Sequence, residues 1–179
     1  VLLLSACGSM QSQVVKKNVS FDPGIQAQIR SYGSYGSDLI RIYPETDCAK
    51  WEGTKRNAVN RRFVNGLPRK VRNISIGIPP TELSRKTEKD TGFVFRDSYR
   101  EMVVSADQPV VLDGAFSSQT RNHHYSCRVA ASFTPKAGEA YEVRYLSEEE
   151  GCDIEVYHIG HEEKDGVRPV SYTHLTLPT

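Results

Sequence analysis

Between residues 125 and 159 apolar and polar side chains alternate in three successive runs. Tyr125, Cys127, Val129, Ala131 and Phe133 fall on one side; Ser126, Arg128, Ala130 and Ser132 fall on the other. Successive side chains of a strand point to opposite faces, so this run predicts a half-buried strand. Pro135-Lys136-Ala137-Gly138 interrupts it with turn-forming residues. Tyr141, Val143 and Tyr145 then alternate with Glu142 and Arg144, and a turn is expected at 147–151. Cys152, Ile154 and Val156 form the inner side of a third strand, with Asp153 and Glu155 facing out. One apolar and one polar face favour antiparallel pairing with a solvated side.

Upstream, the same period recurs. Ala27, Ile29 and Ser31 alternate with Gln28 and Arg30, and Ile40 and Ile42 point inward from a run at 39–43 that Pro44 ends. The Gly- and Ser-rich stretch at 33–38 is expected to join these two runs as a hairpin. Ile74, Ile76 and Ile78 predict a strand that Pro79-Pro80 stops. Residues 81–90 hold a short helical turn with Thr81 as its N-cap. Two further strands are expected at 99–104 and 110–116. The expected fold is all-β, an antiparallel β-sandwich (Ig-like or small barrel-like) of about eight strands.

The segment 50–72 breaks the pattern. Lys50, Lys55, Arg56, Arg61, Arg62, Arg69, Lys70 and Arg72 are opposed there only by Glu52. Clustered cations attract an anionic surface, so Lys55, Arg56, Arg61, Arg62, Arg69, Lys70 and Arg72 are candidate contacts for anionic lipid or another acidic envelope component. A solvated basic insertion explains the composition equally simply. Over the whole chain 23 basic residues meet 22 acidic ones, which gives no global attraction to nucleic acid, and none is expected as a partner.

Candidate chemistry is sparse. His123 and His124 precede one predicted strand, and His158 and His161 close another. Together they are the residues an envelope enzyme or a metal-binding protein would use. Exposed polar strand ends account for them more simply, so no metal is expected. Tyr32-Gly33-Ser34-Tyr35-Gly36 lacks the Gly-Lys-Ser/Thr ending of a phosphate loop. No Gly-x-Ser-x-Gly elbow and no Ser/His/Asp set is present, and Cys48 has no identifiable base. A catalytic role and a cofactor are therefore not expected.

The first residues carry a more specific signal. Leu4-Ser5-Ala6-Cys7 resembles the bacterial lipobox. That resemblance implies diacylation of Cys7, cleavage of the bond before it, and a membrane anchor through the N-terminal acyl groups. Gly8 after the lipidated cysteine resembles lipoproteins sorted to the outer membrane of a Gram-negative host. The implied location is the cell envelope, at the outer membrane and facing the periplasm. Residues 1–6 would be the remnant of a signal peptide, 7–25 a lipidated tether, 26–160 the sandwich and 161–169 a tail. Residues 170–179 resemble a translated sequencing adapter and are expected to lie outside the fold.

Export also bears on the cysteines, because disulfides persist in oxidising compartments. With Cys7 acylated, Cys48, Cys127 and Cys152 allow three single pairings. Cys127 and Cys152 both occupy inward faces and are the preferred pair. Strands one and three of a flat ribbon are about 9.6 Å apart, whereas a disulfide needs Cα atoms within about 7 Å. The bond therefore requires the third strand to begin close to the first or to lie in the opposite sheet. The run from Pro109-Val110 through Cys127, Phe133-Thr134-Pro135-Lys136-Ala137-Gly138 and Tyr141 to Cys152 also resembles a group of uncharacterised bacterial lipoproteins. That resemblance implies no activity.

Overall fold

The computed structural model describes residues 14–33, 39–54, 57–58, 63–64, 67–68, 71–90, 96–119, 121–148, 151–160, 167–169 and 173–176. In chain order the elements are β1 (Val14–Lys16), β2 (Gln26–Gly33), β3 (Leu39–Tyr43), β4 (Asn57–Ala58), β5 (Phe63–Val64), β6 (Leu67–Pro68), β7 (Asn73–Ser75), α1 (Glu82–Lys89), β8 (Ser98–Ser105), β9 (Val110–Gln119), β10 (His124–Phe133), β11 (Ala140–Glu148), β12 (Gly151–Ile159), β13 (Val167–Pro169) and β14 (Thr173–Thr176). A seven-stranded sheet runs β1-β7-β8-β2-β11-β12-β13, a five-stranded sheet runs β14-β10-β9-β3-β4, and β5 pairs with β6. The fold is an all-β, mostly antiparallel sandwich, as the alternation predicts.

The inward residues of both sheets form one core. Ala27, Ile29, Val143, Ile154 and Val156 from the larger sheet meet Ile40, Ile42, Leu112, Val129 and Ala131 from the smaller. Burying each large aliphatic side chain contributes about 1.5–3 kcal/mol relative to exposure. At Gly114 the sheets approach so closely that a Cβ would collide with the Tyr145 ring from the opposite sheet. Glycine permits that approach because it has no side chain.

The expected hairpin is a crossover instead, and the next strands of the core stretch cross over as well. β2 and β3 lie in opposite sheets, as do β10 and β11. Alternation reports which residues face the core, and residues of either sheet that face it look alike. β11 therefore pairs in parallel with β2, Ala140 opposite Gln28 through Val143 opposite Ser31, and antiparallel with β12. The strand expected through Ile78 is only β7, after which residues 76–80 cross the sheet as a loop. The expected helical turn is the eight-residue α1, capped by Thr81 as predicted.

The sheets also take up residues outside the 26–160 expected for the sandwich. Val14–Lys16, within the expected tether, adds in parallel to β7. Val167–Pro169 and Thr173–Thr176 add antiparallel to β12 and β10. Their composition did not mark them as strands, but an edge strand offers unpaired backbone groups to any extended segment.

The strand directions define two poles. At one, Cys127 and Cys152 are joined with their Cα atoms 6.0 Å apart; β1, β7, β8, β10 and β12 run away from this end and β2, β9 and β11 run toward it. At the other, the rings of Phe133 and Tyr141 meet at 5.2 Å. The disulfide thus bridges the sheets, with its third-strand cysteine in the opposite sheet from the first.

Candidate functional site: a covered polar layer and its cleft

The outer face of the seven-stranded sheet is not the wet face that alternation predicts. Glu142 on β11, Arg30 on β2 and Glu101 on β8 stand in register across three adjacent strands. They are 0%, 1% and 3% exposed. Arg30 Nε and Nη2 donate to Glu101 Oε1 at 2.9 and 2.7 Å, and Nη2 also donates to the carbonyls of Ile78 and Pro79. Arg30 Nη1 lies 3.6 Å from Glu142 Oε2. Burial opposes the Arg30 charge, but Tyr32, Glu101 and Glu142 outweigh it and hold its pKa above the usual value.

The cover is tied to this row. Glu101 Oε2 accepts from the backbone N–H groups of Ile76, Gly77 and Ile78 and from Ser75 Oγ, at 2.7–3.2 Å. Gly77 has φ +102°, a left-handed conformation that glycine adopts without steric cost. Glu142 Oε2 accepts from Tyr32 Oη at 2.9 Å and from Thr81 Oγ1 at 2.6 Å. Thr81 Oγ1 also accepts from Ser84 N, so the N-cap of α1 is bonded to the carboxylate beneath it. Glu88 of the helix accepts from Tyr99 Oη at 2.6 Å. Burial, then Glu142, pushes the Tyr32 pKa up; burial and Glu88 do the same to Tyr99.

Beside this layer a cleft of about 280 Å³ opens, lined by Tyr32, Gly33, Leu83, Thr87, Asp97, Arg144, Tyr145 and Leu146. It lies just past Ser31 and Val143, where the parallel pairing of β2 with β11 stops. Arg144 Nε and Nη2 donate to Glu142 Oε1, and its guanidinium lies 4.4 Å from the centre of the Tyr157 ring. Leu83 and Leu146 supply apolar wall. Such a mixture can bind a small amphipathic molecule or side chain.

A third buried carboxylate sits on the outer face of the five-stranded sheet. Asp113 accepts from Arg41 Nη1 at 2.9 Å and from Arg128 Nε at 2.8 Å. Arg128 lies over the buried Trp51 ring. Cys48, a half-buried free thiol, packs on the same cluster, and burial raises its pKa.

The residues singled out by sequence fare differently. Cys127 and Cys152 are joined. Cys7, Lys55, Arg56, Arg61, Arg62, Arg69, Lys70 and His161 lie outside the described residues. Arg72 is exposed immediately before β7. His123 and His124 are exposed at the disulfide pole, where His124 Nε2 lies 3.3 Å from Ser117 Oγ. His158 belongs to the other pole, beside the Tyr141 ring and paired with Glu139. His123 and His124 therefore do not converge with His158, because they sit at opposite ends of the strands. Among the described residues no group of three or more His, Cys, Asp or Glu is placed to hold a metal ion.

Alternation assigns Glu142 and Arg144 to the solvated face because it is blind to a covering loop. The nearest signal was the Thr81 cap, which placed a helix without showing where it docks. No protein-family model, curated protein or solved structure matches the chain.

Proposed function

We propose that this chain is a lipid-anchored protein of the bacterial cell envelope with a binding or structural role. Acyl groups on Cys7 hold it at the outer membrane, facing the periplasm. The bond between Cys127 and Cys152 carries the reading, because a disulfide across the core suits an exported protein. The resemblance of Leu4-Ser5-Ala6-Cys7 to a lipobox supplies the anchor. A binding role would be exercised in the cleft beside α1, whose apolar walls and arginine suit a ligand better than a reaction. The basic residues Lys55, Arg56, Arg61, Arg62, Arg69, Lys70 and Arg72 add a contact for anionic lipid or another envelope component.

The test is expression with labelled fatty acid. The wild-type chain is expected to incorporate label and fractionate with membranes, and Cys7→Ser is expected to lose the label and become soluble in the periplasm. A Cys7→Ser protein that still takes up label and partitions with membranes would overturn the anchor.

A further inference from the structure

The cleft beside α1, the binding site proposed above, carries opposite charges on its walls. Arg144 follows Val143, which stands opposite Ser31, so it lies level with Tyr32. Tyr32 stands opposite Tyr99 on β8, and Asp97 lies two residues beyond Tyr99. Arg144 and Asp97 are thus two strand spacings apart across the sheet and two residues apart along it, about 12 Å between Cα atoms. Tyr32 stands between them, and all three line the cleft. The long arginine and the shorter aspartate close much of that gap, which leaves room for one small molecule between their charged ends.

Arg144 is held in place by the protein itself. Nε and Nη2 donate to Glu142 Oε1, and the guanidinium lies 4.4 Å from the centre of the Tyr157 ring. A guanidinium carries five N–H donors. Glu142 takes one from each of these nitrogens, and among the described residues the others meet no acceptor. The side chain is 25% exposed, so those donors are open to a ligand. A fixed guanidinium with donors to spare recognises a carboxylate. At Asp97 the sign reverses. Arg96 is buried, donates to the Asp90 carbonyl and feels the charges of both Asp90 and Asp97. Two carboxylates there meet one guanidinium, and an ammonium group offsets the excess.

This arrangement disfavours a ligand of one sign. A lone anion on Arg144 would face Asp97 and the Glu142 carboxylate. A lone cation on Asp97 would leave the Arg144 donors unfilled. Leu83 and Leu146 add apolar wall for an uncharged group. A volume of about 280 Å³ sits at the small end of ligand sites, which run from about 300 to 1,000 Å³. That suits a single small molecule better than an oligosaccharide or a lipid chain. We infer that the cleft binds a free α-amino acid with an apolar side chain, its carboxylate on Arg144, its ammonium on Asp97 and its side chain against Leu83 and Leu146.

Calorimetric titration of the full chain in detergent tests this, and the outcome is independent of the anchor. The probes are L-phenylalanine, L-leucine, 3-phenylpropanoate, which lacks the ammonium, and 2-phenylethylammonium, which lacks the carboxylate. At least one of the amino acids is expected to bind at millimolar concentration or below, and the two single-charge analogues about tenfold more weakly than phenylalanine or not at all, as the loss of one charge-assisted hydrogen bond requires. Asp97→Asn is expected to abolish the advantage of phenylalanine over 3-phenylpropanoate. The ligand comparison in wild type decides the matter even if that variant fails to fold. A single-charge analogue that binds as tightly as phenylalanine, or an advantage that survives in folded Asp97→Asn, overturns the amino-acid assignment and leaves the cleft as a binding site. Binding of none of the four overturns both.

Discussion

Arg30 and Glu101 stand opposite each other on the antiparallel neighbours β2 and β8, with Nη2 2.7 Å from Oε1 and both side chains shut off from solvent. Taking two charges out of water costs several kcal/mol per ion, and their attraction alone does not reliably repay it. Here the remaining valences are filled as well. Arg30 also reaches two carbonyls, and the second Glu101 oxygen gathers three backbone N–H groups from the loop that covers it. The pair fixes where residues 76–80 cross the sheet, and through Glu142 and Thr81 it fixes where α1 begins.

Glu101→Gln is accordingly expected to be severely destabilising despite its matched shape. It leaves Arg30 with less compensating charge and turns an amide N–H₂ toward donors. Removing one partner of a buried pair costs about 3–5 kcal/mol. Denaturant unfolding checks this, and a loss under about 1 kcal/mol would show that water reaches the layer.

Mass mapping of non-reduced peptides is expected to recover Cys127 linked to Cys152, with Cys48 unlinked. Replacing both linked cysteines by alanine should lower stability by about 3 kcal/mol on loop-closure grounds, given their separation of 25 residues. Cys48, whose thiol burial holds above its ordinary pKa, should react slowly with thiol reagents at neutral pH until the fold is opened. Linkage of Cys48 to either partner would overturn the bridge between sheets.

Alkaline pH should unfold the domain through its buried tyrosines. Tyr32, Tyr99 and Tyr141 are all pushed above the ordinary value of 10.0, burial being the largest cause in each. The folded state then keeps its protons where the unfolded state loses them. The contribution to stability is complete below the ordinary value and is lost as pH rises through it toward the folded one. In a titration followed by tyrosinate absorbance, these three of the nine tyrosines should ionise only as the circular dichroism is lost. Full ionisation with the fold intact would show that they are not sealed.

Several features were legible because they are written locally. Alternation put Ile29, Ile40, Ile42, Val129, Val143 and Ile154 in the core, and all are buried. Turn residues separated the strands, Thr81 marked the helix start, and the inward faces of Cys127 and Cys152 singled out the bonded pair. A side chain's face depends only on its own strand and neighbours, so a period of two residues carries it.

Which sheet each strand joins, and what lies over its second face, were settled in three dimensions. The runs at 27–31 and 39–43 read as a hairpin yet belong to opposite sheets, because both sheets of a sandwich bury the same kind of face. Glu142 and Arg144 read as solvated yet lie under a loop and a helix, because their cover arrives from residues 76–90. Hydrogen bonds from Tyr32 and Thr81 to Glu142 join residues 110 and 61 positions apart. Contacts at that range leave no periodic trace; they exist only once the strands between them have paired and brought the chain back over itself.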